Sequence, residues 1–247
     1  MKVVTLNTWN EEGPWETRWQ IVLKGLAAAP PDIVAFQEVI SPAWAQTLSQ
    51  RLELPHYAFA GKAYGLLTLS RFPLRASELI PYKIQSPTED YPRGFLMTTW
   101  DVQGQSLLML NTHLSWRLDE GLTRTGQVDE LLHWVQRHAS AQDLIALGDF
   151  NAHEDQPEII AMTAVGGFTD TFRRIHPEDP GLTWDNRNTY TARHGLPDRR
   201  LDYIFVRQAG KALGKLQDAA LCLNRPDPDK IFASDHYGVS ADFAKAA

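Results

Sequence analysis

The sequence is short of the features that anchor or steer a protein by composition alone. It has one cysteine, Cys222, so no disulfide can close within the chain. That cysteine lies in the apolar run AALCL, which reads as a buried strand and not as the setting of a nucleophile. No stretch approaches the roughly 20 apolar residues of a membrane span, and the apolar run after Met1 is too short for a signal peptide. A cytoplasmic protein without integral membrane contact is the expectation. Positive charge is also scarce. With 24 Lys and Arg against 30 Asp and Glu, the net charge is −6, and no surface-wide basic field draws the chain to nucleic acid or anionic lipid. A local basic strip stays open, with Arg199 and Arg200 as one candidate. GxSxG, P-loop, GxGxxG and HExxH patterns are all missing. Their absence argues against the commonest serine-hydrolase, nucleotide-binding and zinc-peptidase chemistries. No repeat, low-complexity tract or linker divides the chain.

What is present is ordinary globular composition, 43% apolar and 22% charged over 247 residues, which fits a single domain spanning 1–247. Runs rich in Val, Ile, Leu, Phe and Tyr predict strands at 2–6, 32–37, 64–70, 94–102, 105–110, 143–148, 201–206 and 237–243. Gln103-Gly104 reads as a hairpin turn. Between them, Trp15, Trp19, Val22, Leu23 and Leu26 follow helical spacing until Pro30-Pro31 stops it. Trp44, Leu48 and Leu52 predict a helix capped by Ser41-Pro42, and Val128, Leu131, Leu132 and Val135 predict a third. Mixed strands and helices in this order suit packed sheets flanked by helices.

The unusual polar residues fall at the ends of those strands. Asn7 ends KVVTLN, Glu38 follows DIVAFQ, His113 ends LLMLNTH, and Asp149 and Asn151 end LIALGDFN. Asp202 opens a strand, and Asp235-His236 open the last. Singly, each reads as a turn residue, a cap or an exposed carboxylate. Together they read as a site, because strand ends fix side chains rigidly while leaving them open to a substrate. Carboxylate and amide oxygens suit a hard cation such as Mg²⁺ or Mn²⁺. Imidazoles and a water-orienting carboxylate beside such a cation suit attack at phosphorus, where charge develops on oxygen.

The motifs LNTWN (6–10), FQEV (36–39), NTHL (111–114), GDFN (148–151), RLDYIFV (200–206) and SDHYGV (234–239) occur in the order found in the endonuclease/exonuclease/phosphatase superfamily. The sequence resembles that family across nearly its whole length. The resemblance implies an α/β (α+β) fold, a four-layer α/β/β/α sandwich of two mostly antiparallel sheets flanked by helices. It implies metal-dependent phosphoester hydrolysis with Glu38 as principal metal ligand, Asn7 beside it and Asp235 as a further ligand. By the same resemblance Asp149 positions the attacking water and Asn151 holds a phosphate oxygen. His236, oriented by Asp202, contacts the scissile phosphate, and His113 serves as the second phosphate-side histidine.

One position departs from the family's pancreatic nuclease type, which places a carboxylate partner for the second histidine just before NTHL's strand. Here the region reads YPRGF, with Arg93 nearest; Arg93 suits either a phosphate clamp or a surface arginine. Trp116 and Trp184 lie in candidate substrate loops and suit either base stacking or scaffold. Acidic Glu11, Glu12, Glu89, Asp90, Asp119 and Glu120 in those loops favour a small or localised phosphodiester over indiscriminate duplex DNA. The expected partner is a phosphoester substrate — a small diester, a nucleic acid or a lipid headgroup — with no protein partner implied. A sphingomyelinase-like lipid phosphodiesterase, a DNA or RNA nuclease and a phosphomonoesterase all use this core. A silent binding module is the reading from another class, and the intact Glu38, Asp149 and His236 speak against it.

Overall fold

Alternation of side chains along the strands splits the apolar residues among layers. The computed structural model describes residues 1–139 and 141–245. Its elements are β1 (Lys2–Asn7), α1 (Trp15–Ala28), β2 (Ile33–Gln37), α2 (Pro42–Arg51), β3 (His56–Phe59), β4 (Leu67–Ser70), β5 (Leu74–Pro81), β6 (Gly94–Val102), β7 (Gln105–His113), α3 (Gly121–His138), β8 (Asp143–Asp149), α4 (Pro157–Ala164), β9 (Thr169–Asp170), α5 (Thr171–Ile175), α6 (Thr189–Ala192), β10 (Asp202–Arg207), β11 (Leu216–Cys222) and β12 (Gly238–Phe243). Two six-stranded sheets form, ordered β11-β12-β1-β2-β4-β3 and β5-β6-β7-β8-β10-β9.

Val3, Ile33, Ala35, Leu107, Met109, Ile145 and Leu147 point between the sheets and form the central core. Their neighbours Val4, Leu6, Val34 and Phe36 point outward under α1 and α2, while Leu108, Leu110, Leu144 and Ala146 point outward under α3 and α4. Strands buried on both faces read as continuous apolar runs, which is why these were visible in the sequence. The expected helical stripes are the buried ones: Trp19, Val22, Leu23 and Leu26 of α1, and Val128, Leu131, Leu132 and Val135 of α3. The α/β/β/α sandwich is therefore present as expected. The hairpin turn is present too, with φ 53° at Gln103 and 85° at Gly104 joining the paired Val102 and Gln105.

Some expectations are corrected. Pro42 does occupy the first turn of α2, but the Ser41 side chain makes no capping hydrogen bond. The strand expected at 64–70 is confined to Leu67–Ser70. Strands β3, β5 and β9 were not anticipated, and neither were α4, α5 and α6; β5 is a largely exposed edge strand, so it lacks the apolar run that marks the others. Cys222 does end a strand, half-buried, and burial pushes its thiol up to about 12. Among the described residues no helix is long and apolar enough to cross a membrane.

Among the described residues each sheet carries one parallel pair, β1–β2 and β7–β8, and every other strand pairing is antiparallel. A parallel pair needs a long crossover, which α1 and α3 supply. Parallel strands bring their C-terminal ends to the same rim, and an antiparallel neighbour brings its N-terminal end there. That rim gathers the polar strand ends.

Candidate active site

Register places the polar residues opposite one another. His113 and Asp202 are both paired with Asp149, from the two sides of β8. In the other sheet Asn7 pairs with Gln37, and Glu38 comes next in the chain. Asp235 and His236 lead into β12, which runs antiparallel to β1. The Asn7 amide then joins the two sheets, donating to Glu38 Oε1 at 3.1 Å and to Asp149 Oδ2 at 2.9 Å. Asn111, although in a motif, lies outside this group. Its amide donates to the Phe36 and Leu67 carbonyls and its oxygen accepts from Gln37, bridging the sheets beneath the rim.

Unusual backbone delivers three of these groups. Glu38 and Asn151 lie at φ 62° and 50°, the left-handed region that a glutamate rarely adopts. Gly65 packs on the Glu38 turn so closely that a Cβ there would lie 3.1 Å from the Glu38 Cα. At Gly148, φ is 133° and a Cβ would lie 1.9 Å from the Thr112 carbonyl oxygen, so only glycine fits before Asp149.

Asp149 stands between two imidazoles. Its Oδ2 lies 3.4 Å from His113 Nε2 and 3.8 Å from His236 Nε2, and its Oδ1 accepts the Asn151 backbone N–H at 2.9 Å. Asp202 Oδ2 holds His236 Nδ1 at 2.8 Å. The Asn151 side-chain amide donates to the Leu114 carbonyl at 3.0 Å, which fixes its plane.

Burial and charge set the protonation. Burial raises Asp149 to about 6, Asp202 adds to the rise, and His236 and Asn7 oppose it. Asp235 is likewise raised to about 6 by burial and by Glu38, and burial raises Glu38. Burial alone would depress His236, yet the Asp202 and Asp149 carboxylates outweigh it and lift its pKa well above the usual imidazole value. His113 goes the other way. Burial, then the positive charges of Arg93 and His236, hold it well below that value, so it is neutral near pH 7.

Do these groups suit a divalent cation? Glu38, Asp149 and Asp235 crowd negative charge into a buried space, and the donor atoms are hard oxygens, as Mg²⁺ or Mn²⁺ requires. They fit. Asn7 presents its amide nitrogen to the carboxylates while its oxygen accepts from the Trp9 N–H at 3.0 Å. To serve as a ligand its amide must turn over. Asp149, Asp202 and His236 also place ligand-type atoms within 4.8 Å of one another, but there the His236–Asp202 bond already uses one imidazole nitrogen.

A cavity of about 440 Å³ opens over this floor. Arg93 lines it, is 6% exposed, and gives its Nε to Glu89 at 2.8 Å. Arg93 is thus not a surface arginine. Trp116 lines the rim and is half exposed. Trp184 lines the wall but is only 8% exposed, its ring edge packed against His236 with centroids 5.2 Å apart. Two expectations fail here. Glu89 is no free repelling charge, because its side chain is fully buried against Arg93. Arg200 belongs to no basic strip, being buried and paired with Glu154 and Asp170, although Arg199 does line the cavity.

Sequence reasoning missed Arg18. It is 1% exposed and donates to the carbonyls of Thr8, Trp9, Asn10, Glu12 and Ala233, tying the loop after Asn7 to the segment before β12 that carries Asp235. A signal existed: Arg18 sits three residues after Trp15 on the buried stripe of α1. Tyr64, Tyr91 and Leu196 also line the cavity and carried no sequence signal.

A family model described as Endonuclease/Exonuclease/phosphatase family matches residues 4–236. Tyrosyl-DNA phosphodiesterase 2 of Xenopus laevis is 27% identical over 258 residues, covering 97% of this chain and 66% of the relative. The human protein of that name is 26% identical, covering 95% and 66%. The chain therefore spans just under two thirds of these relatives. Among solved structures, D. rerio TDP2 complexed with a single-strand DNA product superposes with TM-score 0.83 at 23% identity, covering 99% of both chains. Staphylococcus aureus beta toxin superposes with TM-score 0.79 at 18% identity, covering 98% and 99%.

Proposed function

The chain belongs to the endonuclease/exonuclease/phosphatase family, and on that premise we propose that it is a divalent-metal-dependent phosphodiesterase acting at single-stranded nucleic-acid ends, with residues 1–247 as one catalytic domain. The reading rests on one observation: Asp149 stands between His113 and His236 on the floor of a cavity that Glu38 and Asp235 also line. Relatives named tyrosyl-DNA phosphodiesterase 2, at 26–27% identity, support the diester and the nucleic acid.

Each residue's part follows from its surroundings. Glu38 and Asp235, with Asn7 once its amide turns, would hold Mg²⁺ or Mn²⁺; the bound cation would supply positive charge to phosphoryl oxygens. Asp149, raised to about 6, is ionised at neutral pH yet basic enough to orient water and take its proton. His236 keeps its proton through Asp202 and neutralises a non-bridging oxygen. Asn151, its plane fixed by Leu114, offers its remaining amide hydrogen to another oxygen. His113, held neutral, donates a hydrogen bond without charge, which shifts positive charge on that side of the phosphate to Arg93.

The test is a substrate panel of single- and double-stranded DNA, RNA, sphingomyelin, phosphoinositides and simple mono- and diesters, with Mg²⁺, Mn²⁺ or EDTA. Single-stranded DNA ends should be turned over fastest, with chelation abolishing the rate and Glu38→Ala or His236→Ala lowering it by about 10²–10³-fold. Preferential turnover of a lipid or a monoester, or indifference to chelation and to both substitutions, would defeat the reading.

A further inference from the structure

We infer that Glu89 is a positioning residue, holding Arg93 and the Trp116 loop together as one phosphate-facing wall of the cavity. This rests on the reading of the cavity as a phosphoester site.

The Glu89 side chain is wholly withdrawn from solvent, and each of its oxygens has one strong donor. Oε2 accepts Arg93 Nε at 2.8 Å, and Oε1 accepts the Trp116 backbone N–H at 2.6 Å. Glu89 thereby ties the loop before β6 to a residue 27 positions further along the chain, in the loop after β7. The manner of the pairing points to function. A pair built only to hold a loop gains most from two parallel N–H···O bonds between guanidinium and carboxylate. Here Glu89 takes Nε alone, and among the described residues neither terminal nitrogen of Arg93 has a protein partner, although Arg93 lines the cavity. Arg93 shares the lining of that cavity with Glu38, His113 and Trp116.

The rest of the loop holds Glu89 in place. Its N–H donates to Ser86 Oγ at 3.0 Å, Ser86 and Thr88 donate to Glu120, and Gln85 accepts the Arg93 N–H at 2.7 Å. Losing the Glu89 charge frees the guanidinium to swing and unpins Trp116, with the carboxylates of the floor left intact.

The experiment is a double-mutant cycle read by calorimetric binding of inorganic phosphate in the presence of Mg²⁺, so that it does not depend on turnover. Glu89→Gln and Arg93→Gln should each weaken phosphate binding about tenfold or more, the usual scale for a charge-assisted contact. The double variant should bind no more weakly than Arg93→Gln alone, because Glu89 acts through Arg93. Glu89→Asp, which keeps the charge one methylene short, should fall between, and it replaces Glu89→Gln if that protein does not fold. Wild-type binding in Glu89→Gln or Glu89→Asp, or additive losses in the double variant, overturns the inference. An Arg93- and Glu89-dependent phosphate site without phosphodiester hydrolysis would defeat the proposed function and leave this inference standing.

Discussion

Asp202 grips His236 through Nδ1 at 2.8 Å, which leaves Nε2 facing the cavity 3.8 Å from Asp149. The second oxygen of Asp202 is buried without a partner among the described residues, so its charge is spent almost wholly on the imidazole. Asp202→Asn keeps the shape and removes that charge. A drop of about 10–100-fold in kcat is expected, the usual scale for a residue that orients a functional histidine. The raised pKa of His236 keeps its proton to higher pH, so losing Asp202 should move the alkaline limb of the pH–rate profile to lower pH. A profile that keeps its alkaline limb would show that His236 does not act as the charged form.

Asp149 and Asp235, both raised to about 6, make a second prediction about pH. Their folded pKa exceeds the unfolded value of about 3.9. The native state is favoured while they hold protons, and that contribution is lost as pH rises through about 6. A divalent cation held by Asp235 and Glu38, beside Asp149, would favour the deprotonated forms and offset the loss. The rise in Tm on adding Mg²⁺ or Mn²⁺ should therefore be clearly larger at about pH 8 than at about pH 5. Equal increments at both would place the cation elsewhere than on these carboxylates.

Gly148 tests how far the backbone, and not only the side chains, builds the site. A methyl group there would enter the Thr112 carbonyl, and φ of 133° is closed to other residues. Gly148→Ala must break the β7–β8 pairing beside Asp149 or fail to fold. A loss of about 3 kcal/mol or more is expected in denaturant unfolding. Near-wild-type stability would mean that the strand end can relax, and the site would need no glycine.

Much of this architecture was legible because burial on both faces writes long apolar runs into the sequence. The central strands β1, β2, β6, β7, β8, β10 and β12 announced themselves, and so did α1 and α3. The edge strands β3 and β5 did not, since few of their residues are buried. At the candidate site, Asn7, Glu38, His113, Asp149, Asn151, Asp202, Asp235 and His236 stood out in the sequence because each sits at an end of such a run, and the fold brings them to one rim. Loop residues were beyond reach. Nothing in QSPTEDYPR distinguishes the buried Glu89 from the exposed Asp90, as only the fold brings Glu89 against Arg93 and Trp116. Charge counted along a loop said the opposite of what the fold made of it.

The two tryptophans of the cavity should separate binding from support. Trp116 lines the cavity and is half exposed, with Arg117 over its ring at 4.8 Å, so its exposed part can meet a base or an apolar group. Trp184 is nearly buried, edge-on to His236, with Arg199 over it at 5.7 Å. Stacking of a base on an exposed ring is worth about 1–3 kcal/mol. Trp116→Ala should thus raise KM for single-stranded DNA about tenfold with Tm and kcat nearly unchanged. Removing a buried Trp costs about 3–5 kcal/mol, so Trp184→Ala should lower Tm steeply and also kcat, because the wall that fixes the His236 ring is gone. Trp184→Phe keeps an aromatic edge and should restore most of kcat. If Trp116→Ala destabilised the fold while Trp184→Ala altered only KM, the two rings would have been assigned to each other's roles, and the substrate would lie along the Trp184 wall.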